Sequence, residues 1–334
     1  MPDFVIHIGP HKTGTTYLQL SFKANRLALQ TRGIIHPAVW DYAAGNPSHL
    51  PLAQKLKAGD RDGLAPDFAT LLASGARKIL LSAEDLSNLD VPAVTLLQSL
   101  LAGSAVTFVF YVRRWSELLP SSWQESVKQG QVWTLPDYML LALQNVAQSR
   151  LLNFERKIAP FTEVFGDAAL HVVSYSELRD RDIDMFTHFA EHFLDWPDAQ
   201  PGGAPREANA SRDMATTEIL RILNVMSRRK TGAATDKIRQ KFDRLSPRGF
   251  LAPVIAAIEA HGQDQRFNDN WPALHTLHEQ LVEQYHGRMV APTRRRLLFT
   301  PQTRQIAHAG SGYLTEPGVA ETLTRLHAQL CAAP

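Results

Sequence analysis

Apolar residues come in short dense runs separated by longer stretches of mixed character. Residues 4–8 (FVIHI), 78–82 (KILLS), 106–112 (VTFVFYV) and 170–174 (LHVVS) have the length and β-branched content of core strands. The run 106–112 has no polar alternation and fits a strand buried on both faces. Ile34 and Ile35 make a shorter strand, stopped by His36 and Pro37. Helical periodicity fills the intervals. A helix is expected over 17–29, with Leu18, Phe22, Leu27 and Leu29 facing the core. Others are expected near 49–58, 64–74, 91–102, 116–128, 136–147, 150–165 and 183–194. Residues 37–50, rich in Pro, Gly, Asn and Ser, read as a long loop near the strand ends. Strands alternating with helices predict a parallel α/β sheet covered by helices.

After Trp196 the pattern changes. Pro197, Pro201, Gly202, Gly203 and Pro205 mark a linker or surface loop. Beyond it the chain is helix-rich, with segments near 213–228, 233–245, 249–261, 271–287 and 317–330, and a loop at 288–316 containing Arg294, Arg295 and Arg296. The expected organisation is an α/β core over 1–205 and a helix-rich portion over 206–334 packed on the same domain.

The chemistry is concentrated where the first strand meets the first helix. Gly9 and Gly14 bracket four residues, and Thr15 and Thr16 open the helix. Such a turn brings backbone N–H groups close to an anion, and the helix start adds free N–H groups and a positive dipole end. The spacing is that of a phosphate-binding loop, with one departure. A nucleotide triphosphatase places Lys after the second Gly, where this chain has Thr15; its lysine is Lys12, inside the loop. A lysine there is a compact charge suited to an anion.

Composition narrows what that anion is. The chain has 334 residues, 44% of them apolar, with a net charge of +2. There is no global basic field, so nucleic acid is not an expected partner and anion recognition must be local. One cysteine, Cys331, excludes an intrachain disulfide framework and a cysteine-built zinc site. The first strand is expected to start within about three residues of the N-terminus, leaving no room for a signal peptide. No apolar run approaches the roughly 20 residues that span a bilayer. A cytoplasmic protein is expected. The thirteen histidines show no metal-ligand spacing; His275 and His278 come nearest.

A second constellation lies a hundred residues on. Arg113 ends the 106–112 strand, and Ser121 follows eight residues later in the next helix. An arginine fork and a hydroxyl can share one phosphate, although Arg113 and Arg114 can equally be solvated charge at the end of the sheet. Together with Lys12, Gly14, Thr15 and Thr16, this pair resembles the sulfotransferases that use 3′-phosphoadenosine-5′-phosphosulfate (PAPS). The run Tyr111-Val112-Arg113-Arg114, then Ser121, Trp123, Val127 and Lys128, is most similar to bacterial, carbohydrate-type members. Residues 172–178 (VVSYSEL) and Asn209-Ala210-Ser211 resemble later family segments. The resemblance spans about residues 4–225 and is thin beyond 230. The proline usual after the Arg pair is Trp115 here. The resemblance implies a P-loop-type three-layer fold with a central parallel sheet. It implies that Gly9, Lys12, Thr13, Gly14, Thr15 and Thr16 hold the 5′-phosphosulfate, and that Arg113 and Ser121 hold the 3′-phosphate. It also implies that PAP is released.

Sulfuryl transfer asks for in-line positioning and stabilisation of charge on the leaving oxygen, which Lys12, Thr15 and Thr16 can supply without a metal ion. The strand 106–112 ends in arginines rather than a metal-binding carboxylate. The acceptor, a hydroxyl of a saccharide or small molecule, must lose a proton. Glu84, just past the 78–82 strand, is the first choice for the base, and family members often use a glutamate. Glu84 and Asp85 can equally begin a helix and complement its dipole. His11 and His49 are the alternatives, while His7 reads as structural. Trp40, Tyr42, Trp123 and Trp133 can line an acceptor groove or anchor core and loops. Arg206, Arg212 and residues 294–296 are candidates for a basic cover on the nucleotide. Two further readings stay open: a small-molecule kinase, and a nucleotide-binding module without catalysis.

Overall fold

A computed structural model describes residues 1–42, 47–202, 213–230, 239–243, 248–290, 292 and 297–332. The linker residues 203–207, Asn209, Ser211, Arg212, residues 294–296 and most of the helix expected at 233–245 lie outside the described residues.

Five strands form a parallel sheet in the order β2-β3-β1-β4-β5. These are β1 (Asp3–His7), β2 (Ile34–Ile35), β3 (Lys78–Ser82), β4 (Val106–Val112) and β5 (Leu170–Ser174), at the positions the apolar runs predict. β1 is central, paired with β3 through His7↔Ser82 and with β4 through His7↔Val109. Helices flank the sheet. They are α1 (Thr15–Ala24), α2 (Arg26–Gln30), α3 (Leu50–Lys57), α4 (Ala65–Leu72), α5 (Val91–Leu100), α8 (Glu155–Phe165), α9 (Tyr175–Asp180) and α10 (Met185–Phe193), while α6 (Trp115–Lys128) and α7 (Leu135–Leu143) belong to the second of two compact units.

Strand period two explains the layering. Val5, Leu80, Val109, Tyr111 and Val173 share one face, where they join Leu18 and Phe22 of α1 and Phe186 and Phe189 of α10 in one apolar cluster. Phe4 and Phe108, on the opposite face, meet Phe68 of α4 and Phe161 of α8 at ring-centroid distances of 6.2 and 4.9 Å. Both faces are covered, as continuous apolar strands require. The far edge of β5 is partly closed by Val290, whose N–H donates to the Val172 carbonyl at 2.9 Å.

Two expectations fail along the first stretch. The helix expected over 17–29 is broken at Asn25, whose side-chain amide donates to the Ser21 carbonyl at 3.0 Å. The break turns Leu27 outward, and it is 75% exposed rather than in the core.

The described chain divides into two compact units that no single cut in the sequence separates. The first comprises Met1–Arg114, Val146–Asn209 and Trp271–Thr300, and holds the whole parallel sheet. The second comprises Trp115–Asn145, Ala210–Asn270 and Pro301–Pro334. It contains a feature that the sequence reading missed: strands β6 (Gly262–Asn268) and β7 (Thr303–Ala309), paired antiparallel. Residues 288–316 are therefore not all loop. The pattern hid these strands because they are mostly exposed, with only Phe267 and Ile306 buried.

Buried polar contacts organise the second unit. Asp269 accepts from the Ser116 N–H at 2.8 Å, from the Ser116 hydroxyl at 2.9 Å and from the Gln302 N–H at 3.0 Å. Arg221, on the helix Met214–Lys230, donates twice to Glu218, which also accepts from the Tyr313 hydroxyl at 2.6 Å. No helix among the described residues is long and apolar enough to cross a membrane.

Candidate functional site

The candidate site lies in the first unit, where β1 ends and residues 9–16 turn into α1. Register brings the end of β3 alongside, so this loop and Glu84 become neighbours. The two glycines are required there by geometry. Gly9 has φ +87°, and a Cβ on it would lie 2.8 Å from the Glu84 Cα. Gly14 has φ +78°, and a Cβ would lie 2.8 Å from the Tyr175 ring and 2.9 Å from the Met185 sulfur. Only glycine meets both demands without strain. Lys12 also adopts a left-handed conformation, with φ 69°, which for a non-glycine residue draws attention to the turn.

Each predicted loop residue has a definite place. The Thr13 hydroxyl is buried and donates to the Pro10 carbonyl at 2.6 Å, closing the turn on itself. Gly14 is the N-cap of α1, and no side chain caps the helix. Thr15, also buried, hydrogen-bonds Glu84 through its hydroxyl. Thr16, half-buried, follows in the first turn. Arg113 reaches back to this loop: its Nη1 donates to the Lys12 carbonyl at 2.5 Å, and its guanidinium lies 5.4 Å from the Tyr175 ring centroid. Ser121 is half-buried on α6, which belongs to the second unit.

Glu84 is the first residue of a short 3-10 helix, Glu84–Asn88, and Asp85 the second, so both readings of this pair have a structural basis. The Glu84 carboxylate is held from several sides. Gln19 Nε2 donates to it at 3.3 Å, Thr15 hydrogen-bonds it, and His11 Nδ1 lies 3.4 Å from Oε1. His11 Nε2 lies 3.8 Å from Asp85 Oδ2, so the imidazole spans the two carboxylates. Burial pushes the Glu84 pKa up. The His11 hydrogen bond and charge, with the Thr15 hydroxyl, outweigh burial and hold the carboxyl below its ordinary 4.5. An ionised carboxylate beside this glycine-bounded loop can accept a proton from a hydroxyl.

His49 is not available for that task. It is buried, the Ser82 N–H donates to its Nδ1 at 3.3 Å, and its Nε2 donates to the Pro37 carbonyl at 2.9 Å. Burial lowers its pKa to about 4, although Asp41 opposes the shift. His7 is structural, as expected. Its Nδ1 is 2.8 Å from the Ser82 hydroxyl, and burial lowers its pKa to about 4.

Three participants escaped the sequence reading. Gln19 stands one turn after Thr15 on the same face of α1, and that i, i+4 spacing was the available signal. Asp85 was visible only as half of an acidic pair. Arg114 is fully buried rather than solvated at the sheet end. Its Nε donates to the Thr300 carbonyl at 2.7 Å, and its Nη2 donates to Glu177 at 3.3 Å and to Asp180. Its backbone N–H donates to the Ser176 hydroxyl at 3.0 Å. Arg114 thus ties the end of β4 to α9, which carries Tyr175 against Gly14.

Of the aromatic candidates, Trp40 is a core anchor donating to Asp67 at 3.1 Å, and Trp123 is buried, donating to the Trp133 carbonyl at 2.9 Å. Tyr42 and Trp133 are exposed. His278 is buried, and its Nε2 accepts from the Leu298 N–H at 3.2 Å. Among the described residues, no group of three or more His, Cys, Asp or Glu side chains is placed to hold a metal ion. Comparison of the chain with protein-family models, with curated proteins and with solved structures found no match.

Proposed function

We propose that the chain is a PAPS-dependent sulfotransferase acting on a hydroxyl of a saccharide or small-molecule acceptor. The observation that carries the reading is the juxtaposition of an uncapped helix start, a glycine-bounded loop with Lys12 in it, and an ionised Glu84 against that loop. On this reading the P-loop-type turn of residues 9–16 holds the 5′-phosphosulfate. Glu84 takes the proton of the acceptor hydroxyl as its oxygen attacks sulfur. The sulfur–oxygen bond to the 5′-phosphate breaks, and Lys12 with the N–H groups at the start of α1 stabilises the charge left on the departing PAP. Arg113 fastens the loop through the Lys12 carbonyl, and its guanidinium is the group read as meeting the 3′-phosphate of the nucleotide.

A small-molecule kinase is the second reading. Glu84 and Asp85 follow β3, the strand beside β1, where carboxylates can serve a divalent ion bound with a nucleotide.

A thermal-shift titration separates the two, because each ligand stabilises only the state that binds it. PAP is expected to raise the melting temperature well above the effect of ATP with Mg²⁺; the reverse order would replace this reading with the kinase. With labelled PAPS, Lys12→Ala is expected to lower turnover far more than it weakens PAP binding. Equal losses would make Lys12 a binding residue only.

A further inference from the structure

Glu84 has little on its own element to hold its side chain. It opens a 3-10 helix of five residues, directly after the extended Ala83. The Ala83 N–H donates to the His7 carbonyl at 3.1 Å, which fixes the backbone at the end of β3. The side-chain torsions of Glu84 are left to whatever its carboxylate meets. On one side it meets α1. Gln19 Nε2 donates to Oε2 at 3.3 Å, while His11 Nδ1 lies 3.4 Å from the other oxygen, Oε1. Gln19 is 2% exposed, on a helix whose other buried positions include Leu18 and Phe22.

A buried primary amide is costly unless it is bonded, and an apolar side chain of similar length would fill the same layer without that cost. The bond goes to Glu84, and to the oxygen that His11 leaves to it. Thr15, one turn before Gln19, hydrogen-bonds Glu84 as well. One helix therefore carries both the N–H groups that open at Gly14 and the amide that holds Glu84, with Gln19 about 6 Å along the axis from Thr15. The titratable groups that face Glu84 are His11 from the loop, His7 from β1 and its chain neighbour Asp85 through His11; none of them lies on α1.

We propose that Gln19 is a positioning residue for Glu84. Its amide fixes the carboxylate through Oε2, so that the base keeps one direction relative to residues 9–16 while the acceptor hydroxyl loses its proton. The inference rests on the sulfotransferase reading for the reaction, but the pairing of Gln19 with Glu84 can be tested without it.

The test compares two variants of the full chain. Gln19→Glu keeps the shape of the side chain and sets a second carboxylate where the amide donates across 3.3 Å. Two carboxylates so placed share a proton, and the pair titrates upward. With glutamate ¹³C-labelled at the side-chain carboxyl and no nucleotide present, the Glu84 resonance is identified by its loss in Glu84→Gln. In Gln19→Glu it is expected to titrate about one pH unit or more above its value in the parent. The acidic limb of the kcat/KM profile is expected to move up with it. Gln19→Met removes the donor without adding charge, and is expected to lower kcat for transfer about tenfold or more. Its PAP affinity and melting temperature are expected to stay near those of the parent. An unmoved Glu84 resonance in Gln19→Glu, or parent-like turnover in Gln19→Met, would overturn the proposal. So would a parallel loss of turnover, PAP affinity and melting temperature in Gln19→Met, which marks a merely structural amide. If the parent neither binds PAP nor transfers the sulfuryl group, the sulfotransferase reading falls, and the carboxyl titration still decides whether Gln19 holds Glu84.

Discussion

Gly9→Ala tests whether the loop is held by contact with the end of β3 or merely by its own backbone. At φ +87° an alanine pays the left-handed penalty of about 1–2 kcal/mol. Its Cβ would also lie 2.8 Å from the Glu84 Cα and 3.0 Å from the Glu84 carbonyl oxygen, both backbone atoms that cannot rotate aside. Overpacking of this kind adds about 1–3 kcal/mol. The expected destabilisation is therefore about 2–5 kcal/mol. Gly59 supplies the control: its φ is +68°, and nothing lies within 4 Å of a Cβ there. Gly59→Ala is expected to cost only the backbone part, about 1–2 kcal/mol. Both residues belong to the same compact unit, so one urea transition followed by circular dichroism reads both. The same clash moves Glu84 relative to the loop, so Gly9→Ala is also expected to weaken PAP binding, which Gly59→Ala should spare. If the two variants lose equal stability and bind PAP equally, the contact between loop and Glu84 does not constrain the site.

The remaining tests address the base and the buried arginine. The Glu84 pKa is held below 4.5, so the carboxylate is ionised throughout the neutral range. The acidic limb of the kcat/KM profile for transfer is then expected below the ordinary carboxylate value; a limb in the ordinary histidine range, near ~6.5, would take the role away from Glu84. Glu84→Gln is expected to remove most turnover and leave PAP affinity intact, and retained transfer would reassign the base. Arg114→Met strands Glu177 and the Thr300 carbonyl and is expected to cost about 3–5 kcal/mol. A variant that melts within about 0.5 kcal/mol of the parent would show that the buried charge contributes little net stability.

The positions along the chain of the five parallel strands and most helices were legible because they depend on local periodicity and on Gly, Pro and polar punctuation. β6 and β7 were not, because their pairing is carried by backbone groups with little apolar signal in Gly262–Asn268. The break at Asn25 was missed because a side-chain bond back to Ser21 competes with the helix without altering its apolar spacing. His49 looked like a free loop histidine, and only folding occupies both of its ring nitrogens.

By itself the sequence determined the glycine-bounded loop at the start of α1. The strand, the two glycines, Lys12 and the threonines at the helix start are contiguous, and their geometry follows from local backbone rules. Which groups meet that loop was decided by tertiary structure alone. Glu84 reaches it through the register of β1 with β3, Arg113 through the end of β4, and Tyr175 through a helix that Arg114 ties to that same strand end. These are contacts between distant segments, set by which strands pair and in what register, and no spacing along the chain encodes them.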